Sequence, residues 1–494
     1  MNNWLPRIGL VVGPLAFLAI VFFVNADGLS LEGNIMLALT AWMAIWWTSE
    51  AIPIAGTAFL PLIILPLAGI LPLKNISSNY MDPTVMLYMG GFLLATAIEK
   101  WNLHQRIALN IINLLGTDLR RIVLGFILAT GFLSMWISNS ATALMMLPIG
   151  LAVVTQFKSH LGVGQEQLAT NLGKNIMLGI AYSASIGGMA TLIGTPTNNI
   201  LRAVVDKLYN YTIDFNEWML FALPFTMVLT AICWIYLVNI GNPLPKNFKL
   251  IGAKSVISDQ LSTLGRITFE EKIVLLVFGT VCFAWITRSF LLAPILPQLD
   301  DTIIALTGVL FLLLLPSSKK NGITGRILDW NTAEKIPWGV LILFGGGLAL
   351  AEGFKETGLA DWIGQRFTLI EGVGFFLFLV IIIAAVNFLT EVTSNVATAS
   401  MLLPILASVA IKLDIHPFGI MIGATMAASC AFMLPVATPP NAVVFGSGYL
   451  KIKDMVKAGI WLNLISIVLL SLMIYFILPL LWKINLEAYP FEVF

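Results

Sequence analysis

The chain has 494 residues, of which 58% are hydrophobic and only 11% are charged. Soluble domains contain about 25% charged and roughly 45–50% apolar residues, so this composition excludes a soluble globular protein. The mean hydropathy of +0.92 indicates a chain surrounded by lipid. The formal net charge of +1 gives no general attraction to nucleic acid or to anionic partners.

Apolar segments of bilayer length follow one another along the chain, each with about 20 largely apolar residues. The first follows Arg7, and we interpret it as a retained span because no small-residue cleavage site comes after it. The sequence predicts eleven spans, at 8–24, 34–49, 54–72, 83–99, 174–193, 216–239, 271–289, 300–316, 337–353, 418–436 and 458–482.

Two other apolar stretches, 121–157 and 372–411, carry a polar cluster at their middle. The clusters read Ser-Asn-Ser at 138–140 and Thr-Ser-Asn at 393–395. A straight helix would bury these groups in the bilayer centre, whereas a re-entrant hairpin places them at its tip, against protein or a water-filled cavity. The pattern therefore predicts two re-entrant hairpins.

Two apolar helices are interrupted by proline and small polar residues. The interruptions read Ile-Gly-Thr-Pro-Thr-Asn at 193–198 and Val-Ala-Thr-Pro-Pro-Asn at 436–441. Proline removes a backbone donor and breaks a helix. The sequence thus predicts discontinuous helices over 174–208 and 418–450.

The chain contains an internal repeat. A shift of 256 residues aligns 132–148 with 388–404 at ten identical positions of 17, and a shift of 243 aligns the two proline breaks. We expect an extra N-terminal span (1–30), a first repeat (31–240), a cytoplasmic linker (241–270) and a second repeat (271–494).

The predicted orientation of the repeats follows from the number of spans. Each repeat has five crossings and one hairpin, and an odd number of crossings inverts the second repeat, as in many secondary transporters. With the N-terminus in the cytoplasm, 19 Lys and Arg residues fall inside and 8 outside. Because basic residues concentrate in cytoplasmic loops, we expect the C-terminus to be extracytoplasmic.

The chemistry of the tips and breaks favours a cation together with an anion. Hydroxyls, Asn amides and unwound carbonyls suit sodium, and free amides at helix N-termini suit an anion. The windows 132–150, 191–201 and 433–448 contain no ionisable residue, and 386–405 contains only Glu391. Bound sodium could supply the positive charge that a carboxylate substrate needs, which would couple the two affinities. The competing interpretation, that these side chains only pack helices, does not explain their recurrence in both repeats.

Glu391 is the one ionisable residue within a predicted tip, and its repeat counterpart is Met135. An intramembrane carboxylate is a candidate for a proton relay or for sodium contact. It could equally serve a structural hydrogen-bonding role, and the sequence leaves both interpretations open.

The cysteine and histidine residues indicate no metal site, disulfide or enzyme. Each type occurs three times at scattered positions without ligand spacing. A membrane-embedded enzyme would need a nucleophile–base pair or a metal cluster at membrane depth, and the sequence has neither. The residues are Cys233, Cys282, Cys430, His104, His160 and His416.

The motifs Ser-Asn-Ser-Ala-Thr at 138–142, Ser-Asn-Val-Ala-Thr at 394–398 and Ala-Thr-Pro-Pro-Asn at 437–441 resemble the divalent anion/sodium symporter family of di- and tricarboxylate transporters. The resemblance covers nearly the whole chain. It implies an all-α polytopic membrane protein and a homodimer. Each protomer would have a scaffold domain and a mobile transport domain that carries the substrate in an elevator motion.

The resemblance also implies site residues. The first sodium site would use Ser134, Ser138, Asn139 and the backbone at Gly194, and the second Thr390, Thr393, Asn395 and the backbone at Ala437. The substrate would meet Asn139, Ser140, Thr195, Asn395, Val396, Thr438 and Pro439. Val396 departs from the pattern because it replaces the hydroxyl that Ser140 keeps in the first tip.

From these features we expect sodium-coupled symport of C4-dicarboxylates such as succinate, fumarate or malate across the cytoplasmic membrane, with sodium as coupling ion and no organic cofactor. The alternatives are sodium-independent dicarboxylate exchange and sodium-coupled transport of citrate or sulfate. A passive anion channel would also tolerate the repeat and the breaks.

Overall fold

The computed structural model describes residues 4–24, 27–116, 118–159, 166–246, 248, 253–320, 323–366 and 374–490. His160 lies outside this part of the chain. The first half of the fold comprises α1 Trp4–Phe23, α2 Leu31–Ser49, α3 Ile54–Thr57, α4 Leu60–Leu67, α5 Leu73–Ser78, α6 Pro83–Lys100, α7 Leu103–Leu115, α8 Leu119–Ser134, α9 Asn139–Ser159, α10 Glu166–Gly188, α11 Pro196–Tyr209 and α12 Phe215–Tyr236.

The second half continues with further helices and one pair of short strands. These are α13 Ala253–Leu264, α14 Phe269–Thr287, α15 Asp301–Leu314, β1 Pro316–Lys320, β2 Ile323–Arg326, α16 Trp330–Ala333, α17 Trp338–Glu356, α18 Leu359–Arg366, α19 Phe375–Leu389, α20 Asn395–Lys412, α21 Pro417–Ser429, α22 Pro439–Phe445, α23 Ile452–Phe476 and α24 Leu478–Trp482. A short 3-10 turn, Asn79–Met81, precedes α6, and π-helical turns, Leu237–Gly241 and Arg288–Leu292, follow α12 and α14.

The predicted multi-span helical membrane fold is confirmed. Within the described residues, eight helices are long and apolar enough to cross a membrane, and four shorter helices are also apolar. Large apolar side chains such as Phe22 and Leu310 face outward, as a lipid environment requires.

Two of the predicted spans are divided in the structure. The expected span at 54–72 divides into α3 and α4, and that at 458–482 is interrupted at Ile477. A short antiparallel β1–β2 hairpin lies between α15 and α16 of this helical fold. The segment expected to be a cytoplasmic linker, 241–270, contains α13, and its role as a linker stays a prediction. The hairpin segment has no apolar periodicity, whereas α13 places Ile257, Leu261 and Leu264 at helical spacing.

The same order of elements occurs twice, and several helices begin 256 residues apart. Leu103 opens α7 and Leu359 opens α18, and Asn139 opens α9 and Asn395 opens α20. The division into two inverted repeats agrees with this order and stays a prediction.

The helices pack in two groups. The site bundle, α8–α12 with α19–α23, is built on α10 and α21, against which the neighbouring hairpin helices lie. The frame, α2–α6 with α14–α17, joins α6 to α15 and α17 to α3 and α4, and its α17 also packs against α11 and α20 of the site bundle. Close approach in the site bundle depends on small residues, since a Cβ on Gly187 of α10 would lie 2.1 Å from the carbonyl oxygen of Gly131 in α8.

Candidate functional site

The first tip brings a hydroxyl and an asparagine together. Ser134 is the last residue of α8 and Asn139 the first of α9. Ser134 Oγ lies 2.6 Å from Asn139 Oδ1 and 2.7 Å from the carbonyl oxygen of Ala184 in α10. Both side chains therefore point toward α10, close to the position at which this helix ends.

Asn139 stands among acceptors. Its Oδ1 faces the carbonyl oxygens of Ala184 and Gly194, each 3.2 Å away, an arrangement that becomes a set of hydrogen bonds only if the amide is turned to present its nitrogen. If the Asn139 amide keeps its oxygen toward these carbonyls, a cation between the oxygens would satisfy them as well as the hydrogen bonds of the turned amide would. Amide, carbonyl and hydroxyl oxygens are ligands that a hard cation accepts, so the donor set fits sodium.

Two glycines permit this approach. A Cβ on Gly188, the last residue of α10, would lie 2.4 Å from Asn139 Oδ1. A Cβ on Gly194 would lie 2.4 Å from the carbonyl oxygen of Gly188. Any side chain at either position would displace the asparagine or the unwound chain.

The second tip repeats the arrangement. Thr390 follows α19 and Asn395 opens α20. Thr390 Oγ1 lies 2.6 Å from Asn395 Oδ1 and 2.9 Å from the carbonyl oxygen of Ala428 in α21. Thr390 and Asn395 follow Ser134 and Asn139 by 256 residues, so the structure places equivalent oxygens together in both halves.

Three predicted sodium ligands have other contacts. Ser138 Oγ accepts a hydrogen bond from the N–H of Ala141 at 3.3 Å. Thr393 Oγ1 donates to the carbonyl oxygen of Leu389 at 2.9 Å and lies 2.8 Å from Thr398 Oγ1. The N–H of Ala437 donates to the carbonyl oxygen of Leu434 at 3.2 Å. Their role as ligands stays a prediction.

The helix breaks begin earlier than predicted. The unwound segments run over 189–195, between α10 and α11, and over 430–438, between α21 and α22. The sequence placed the first break at 193 and the second at 436. The helices end sooner because side chains beyond the prolines bind the carbonyls that are released.

Asn198 and Asn441 are the side chains responsible, and the sequence analysis did not assign them to the site. Both lie in the first turn of the helix after a break, both are fully buried, and their Nδ2 atoms donate to the unwound backbone. The acceptors are the carbonyl oxygens of Met189 at 3.1 Å, Thr191 at 2.7 Å, Ala431 at 3.2 Å and Leu434 at 3.0 Å. Their recurrence at the 243-residue shift is the signal that could have identified them.

Glu391 is held by the second break. Its Oε1 accepts hydrogen bonds from the N–H groups of Phe432 at 2.8 Å and Met433 at 2.9 Å and from Asn463 Nδ2 at 2.8 Å. Its Oε2 accepts from the N–H of Leu434 at 3.0 Å. Four donors around one carboxylate anchor the unwound chain, which favours the structural interpretation of this residue.

The predicted substrate residues lie at the starts of four helices. Ser140 and Val396 are the second residues of α9 and α20, Thr195 and Thr438 cap α11 and α22, and Pro439 is the first residue of α22. The helix α9 packs against α22, and α20 packs against α11. Contact between the halves is direct, because Thr197 Oγ1 lies 2.9 Å from Ser429 Oγ. The structure thus gathers these residues in one bundle, and their contact with a substrate stays a prediction.

Comparison with known proteins decides the family. The family model described as the sodium:sulfate symporter transmembrane region matches residues 3–484, nearly the whole chain. The chain belongs to this symporter family. The predicted resemblance is therefore confirmed, and so is the prediction that the protein is a transporter and not an enzyme, since the family is one of transporters.

Relatives in the symporter family are similar over almost their full length. The sodium-dependent dicarboxylate transporter SdcS of Staphylococcus saprophyticus is 46% identical over 477 residues, which are 96% of this chain and 91% of that protein. SdcS of Staphylococcus aureus strain USA300 is 44% identical over 483 residues, or 97% and 92% of the two chains.

Solved structures share the fold at low sequence identity. The Alcanivorax borkumensis YdaH transporter has a TM-score of 0.56 and 13% identity, covering 82% of this chain and 88% of its own. Neisseria gonorrhoeae MtrF, described as one of a class of antimetabolite efflux pumps, has a TM-score of 0.56 and 12% identity, covering 96% and 94%. These similarities show the multi-span helical fold.

Proposed function

We propose that this symporter couples the entry of sodium to the uptake of C4-dicarboxylates such as succinate, fumarate or malate across the cytoplasmic membrane of a bacterium. The observation that carries the proposal is the duplicated oxygen cluster, in which a hydroxyl, an Asn side chain and a helix carbonyl meet at both tips. No Lys, Arg or His occurs in the tip and break windows of the sequence, so sodium is the natural counter-charge for a dianion.

The relatives support both the ion and the substrate class. Two proteins that are 46% and 44% identical to this chain over nearly their full length are named sodium-dependent dicarboxylate transporters. Sodium enters this account as a transported co-substrate, and the proposal includes no organic cofactor.

We assign the first sodium to Ser134, Ser138, Asn139 and Gly194, and the second to Thr390, Thr393, Asn395 and Ala437. The carbonyls of Ala184 and Ala428 complete the two sets, because each lies within 3 Å of the hydroxyl at its tip. The dicarboxylate is assigned to Asn139, Ser140, Thr195, Asn395, Val396, Thr438 and Pro439.

The proposed architecture has two inverted repeats, a cytoplasmic N-terminus and an extracytoplasmic C-terminus. In an inverted-repeat transporter, one bundle moves against another around the bound substrate. The site bundle is the moving part in this proposal, and the frame is the static part that holds the contact of a homodimer.

Uptake of labelled succinate into proteoliposomes tests the proposal. We expect accumulation with an inward sodium gradient and none with potassium at the same ionic strength. Equal uptake in potassium would contradict sodium coupling and favour exchange, which trans-stimulation by internal succinate would then detect. Competition by unlabelled citrate and sulfate ranks the alternative substrates, and stronger inhibition by either than by succinate would contradict the C4-dicarboxylate assignment.

A further inference from the structure

A buried network of charges at the start of α15 shares no side chain with the proposed sodium sites. Its centre is Asp301 at the start of α15, whose side chain is fully buried. Arg202 Nη2 lies 3.3 Å from Asp301 Oδ2, and Arg288 Nε lies 2.8 Å from Oδ1. Arg288 also pairs with Asp214, and the N–H of Phe215 donates to Asp301 at 3.2 Å.

The network crosses the boundary between the two packing groups. Arg202 is on α11 of the site bundle, and Asp214 caps α12 of the same bundle. Arg288 and Asp301 belong to the frame, where they follow α14 and open α15. Each group thus contributes one cation and one anion, and each cation pairs with an anion of the other group.

Other polar contacts cross the boundary. Lys207, also on α11, pairs with Glu352 of α17 at 3.1 Å, and Glu352 accepts a hydrogen bond from Asn79 at 2.6 Å. Asn216 of α12 donates to Ser289 at 2.9 Å. The half-helix that begins at the first break is therefore tied to both α15 and α17 of the frame.

Arg202 is buried and depends on Asp301 to compensate its charge. Its side chain is only 3% exposed, yet Nε and Nη1 make no hydrogen bond among the described residues. A buried guanidinium that lost Asp301 as well would be an uncompensated charge in an apolar interior. Movement of α11 away from α15 therefore requires water to reach both charges.

The opposite end of the same boundary is open. A cavity of about 330 Å³ separates the first tip from the end of α6, with Glu99, His104, Ile137, Thr142 and Leu144 in its lining. The other end of α6 lies at the network, since Thr302, next to Asp301, donates to the carbonyl oxygen of Pro83 at 2.9 Å. At 1.5 Å per residue, Glu99 is about 24 Å from Pro83 along the helix.

We propose that Arg202, Asp301, Arg288 and Asp214 form a latch that closes one end of the transport pathway while the Glu99 end is open. The latch residues are positioning residues that bind neither sodium nor substrate. With the predicted orientation, the closed end is extracytoplasmic and the open end cytoplasmic. The inference rests on the proposed function, because it requires the site bundle to move against the frame.

Two reporter cysteines test the latch, in a Cys282→Ala background whose other cysteines, Cys233 and Cys430, are buried. Leu144→Cys reports the open cavity. Asn216→Cys reports the latched end, and it removes the hydrogen bond to Ser289 equally in every variant compared. The rate of modification by a water-soluble methanethiosulfonate is measured without sodium or dicarboxylate, so the result does not depend on transport. Succinate uptake by the parent protein tests the proposed function separately.

We expect Arg202→Gln to slow labelling at Leu144→Cys and to accelerate it at Asn216→Cys, each by about threefold or more, because the populations of the two states shift. Arg202→Gln leaves Asp301 its contacts with Arg288 and Phe215. Lys207→Gln, which removes a partly exposed ion pair, is a second variant that should change both labelling rates in the same directions. Lys174→Gln is the matched control, since its pair with Asp454 at 2.6 Å joins α10 and α23 within the site bundle. Opposite changes at the two reporters with an unaffected control support the latch. Unchanged rates, or rates that rise or fall together, overturn it.

Discussion

At the scale of single residues, the proposed sodium sites depend most on Asn139 and Asn395. Each opens a helix, and each brings its side-chain oxygen within 2.6 Å of a hydroxyl from the preceding helix. In both halves the hydroxyl that contacts the asparagine also donates to a carbonyl of a second helix, an arrangement that helix capping alone does not require. The two residues should therefore be needed for ion binding more than for folding.

We predict that Asn139→Ala and Asn395→Ala each raise the succinate Kd in sodium by at least about tenfold, equivalent to ~1.4 kcal/mol. The loss of one sodium ligand weakens sodium binding, and weaker sodium binding lowers the affinity for the anion. Equilibrium binding to purified protein measures the effect. Asn110→Ala, on an exposed face of α7, is the control and should leave binding unchanged. Full transport by both site variants would contradict the assignment.

Glu391 provides a second prediction at this scale. The amide of Glu391→Gln presents donors to backbone N–H groups that now bind a carboxylate. We expect a stability loss of about 1.5–3 kcal/mol, as for hydrogen bonds to a charged group, together with weaker sodium binding because the second break loosens. Thermal unfolding in detergent measures the first effect. The exposed Glu334→Gln is the control, and an equal midpoint for the two variants would refute the anchoring role.

The limit of sequence analysis at this scale is visible in the oxygen clusters. Asn139 and Asn395 could be predicted because they recur at the repeat shift, whereas Ser134 and Thr390 were implied by the family resemblance. The carbonyls of Ala184 and Ala428 could not, because a backbone oxygen is present at every residue and only the fold selects which ones face a site.

At the scale of elements, the first broken helix depends on close backbone contact. Gly188→Ala would place a Cβ 2.4 Å from Asn139 Oδ1, so we expect it to abolish sodium-dependent succinate binding. Gly279→Ala in α14 is the matched control, since a Cβ there meets nothing within 4 Å. Binding measured at saturating sodium compares the two. Retained binding in Gly188→Ala would exclude Asn139 from the site as described.

The start of α21 gives a prediction for pH. The N–H of Phe418 donates to His416 Nδ1 at 3.2 Å, which requires the neutral imidazole, and burial lowers the His416 pKa to about 4. Because the pKa is lower in the folded state than its usual value of about 6.5, protonation favours unfolding. The contribution is present above pH 6.5 and declines as the pH falls toward 4.

Thermal unfolding between pH 7 and pH 5 tests this dependence. We expect the midpoint of the native protein to fall more than that of His416→Asn, because asparagine can cap the helix without titrating. Parallel curves for the two proteins would assign the pH dependence to other groups.

The elements also show what periodicity can and cannot predict. Long apolar runs identified the spans, and the proline motifs identified the two broken helices. The breaks start at 189 and 430 because Asn198 and Asn441 bind the released carbonyls, a contact that depends on packing. The β1–β2 hairpin lies in a polar segment where no apolar period indicates a structure, whereas α13 has Ile257, Leu261 and Leu264 at helical spacing in a run too short for a span.

At the scale of the whole molecule, the proposed function depends on where the few charged residues lie. Glu391 is the one ionisable residue in the tip and break windows, and its carboxylate already accepts hydrogen bonds from the backbone. The boundary between the site bundle and the frame has buried ion pairs instead. Uncharged oxygens thus mark the proposed binding sites, whereas fixed charges mark the surface along which the bundle is proposed to move.

The measurement that tests the central claim most directly is succinate binding to the purified protein as a function of sodium concentration at constant ionic strength. If sodium completes the anion site, the succinate Kd falls as sodium rises, and succinate raises the affinity for sodium by the same factor. We expect both changes in affinity in the native protein and smaller changes in Asn139→Ala and Asn395→Ala. The same succinate Kd in sodium and in potassium would contradict it.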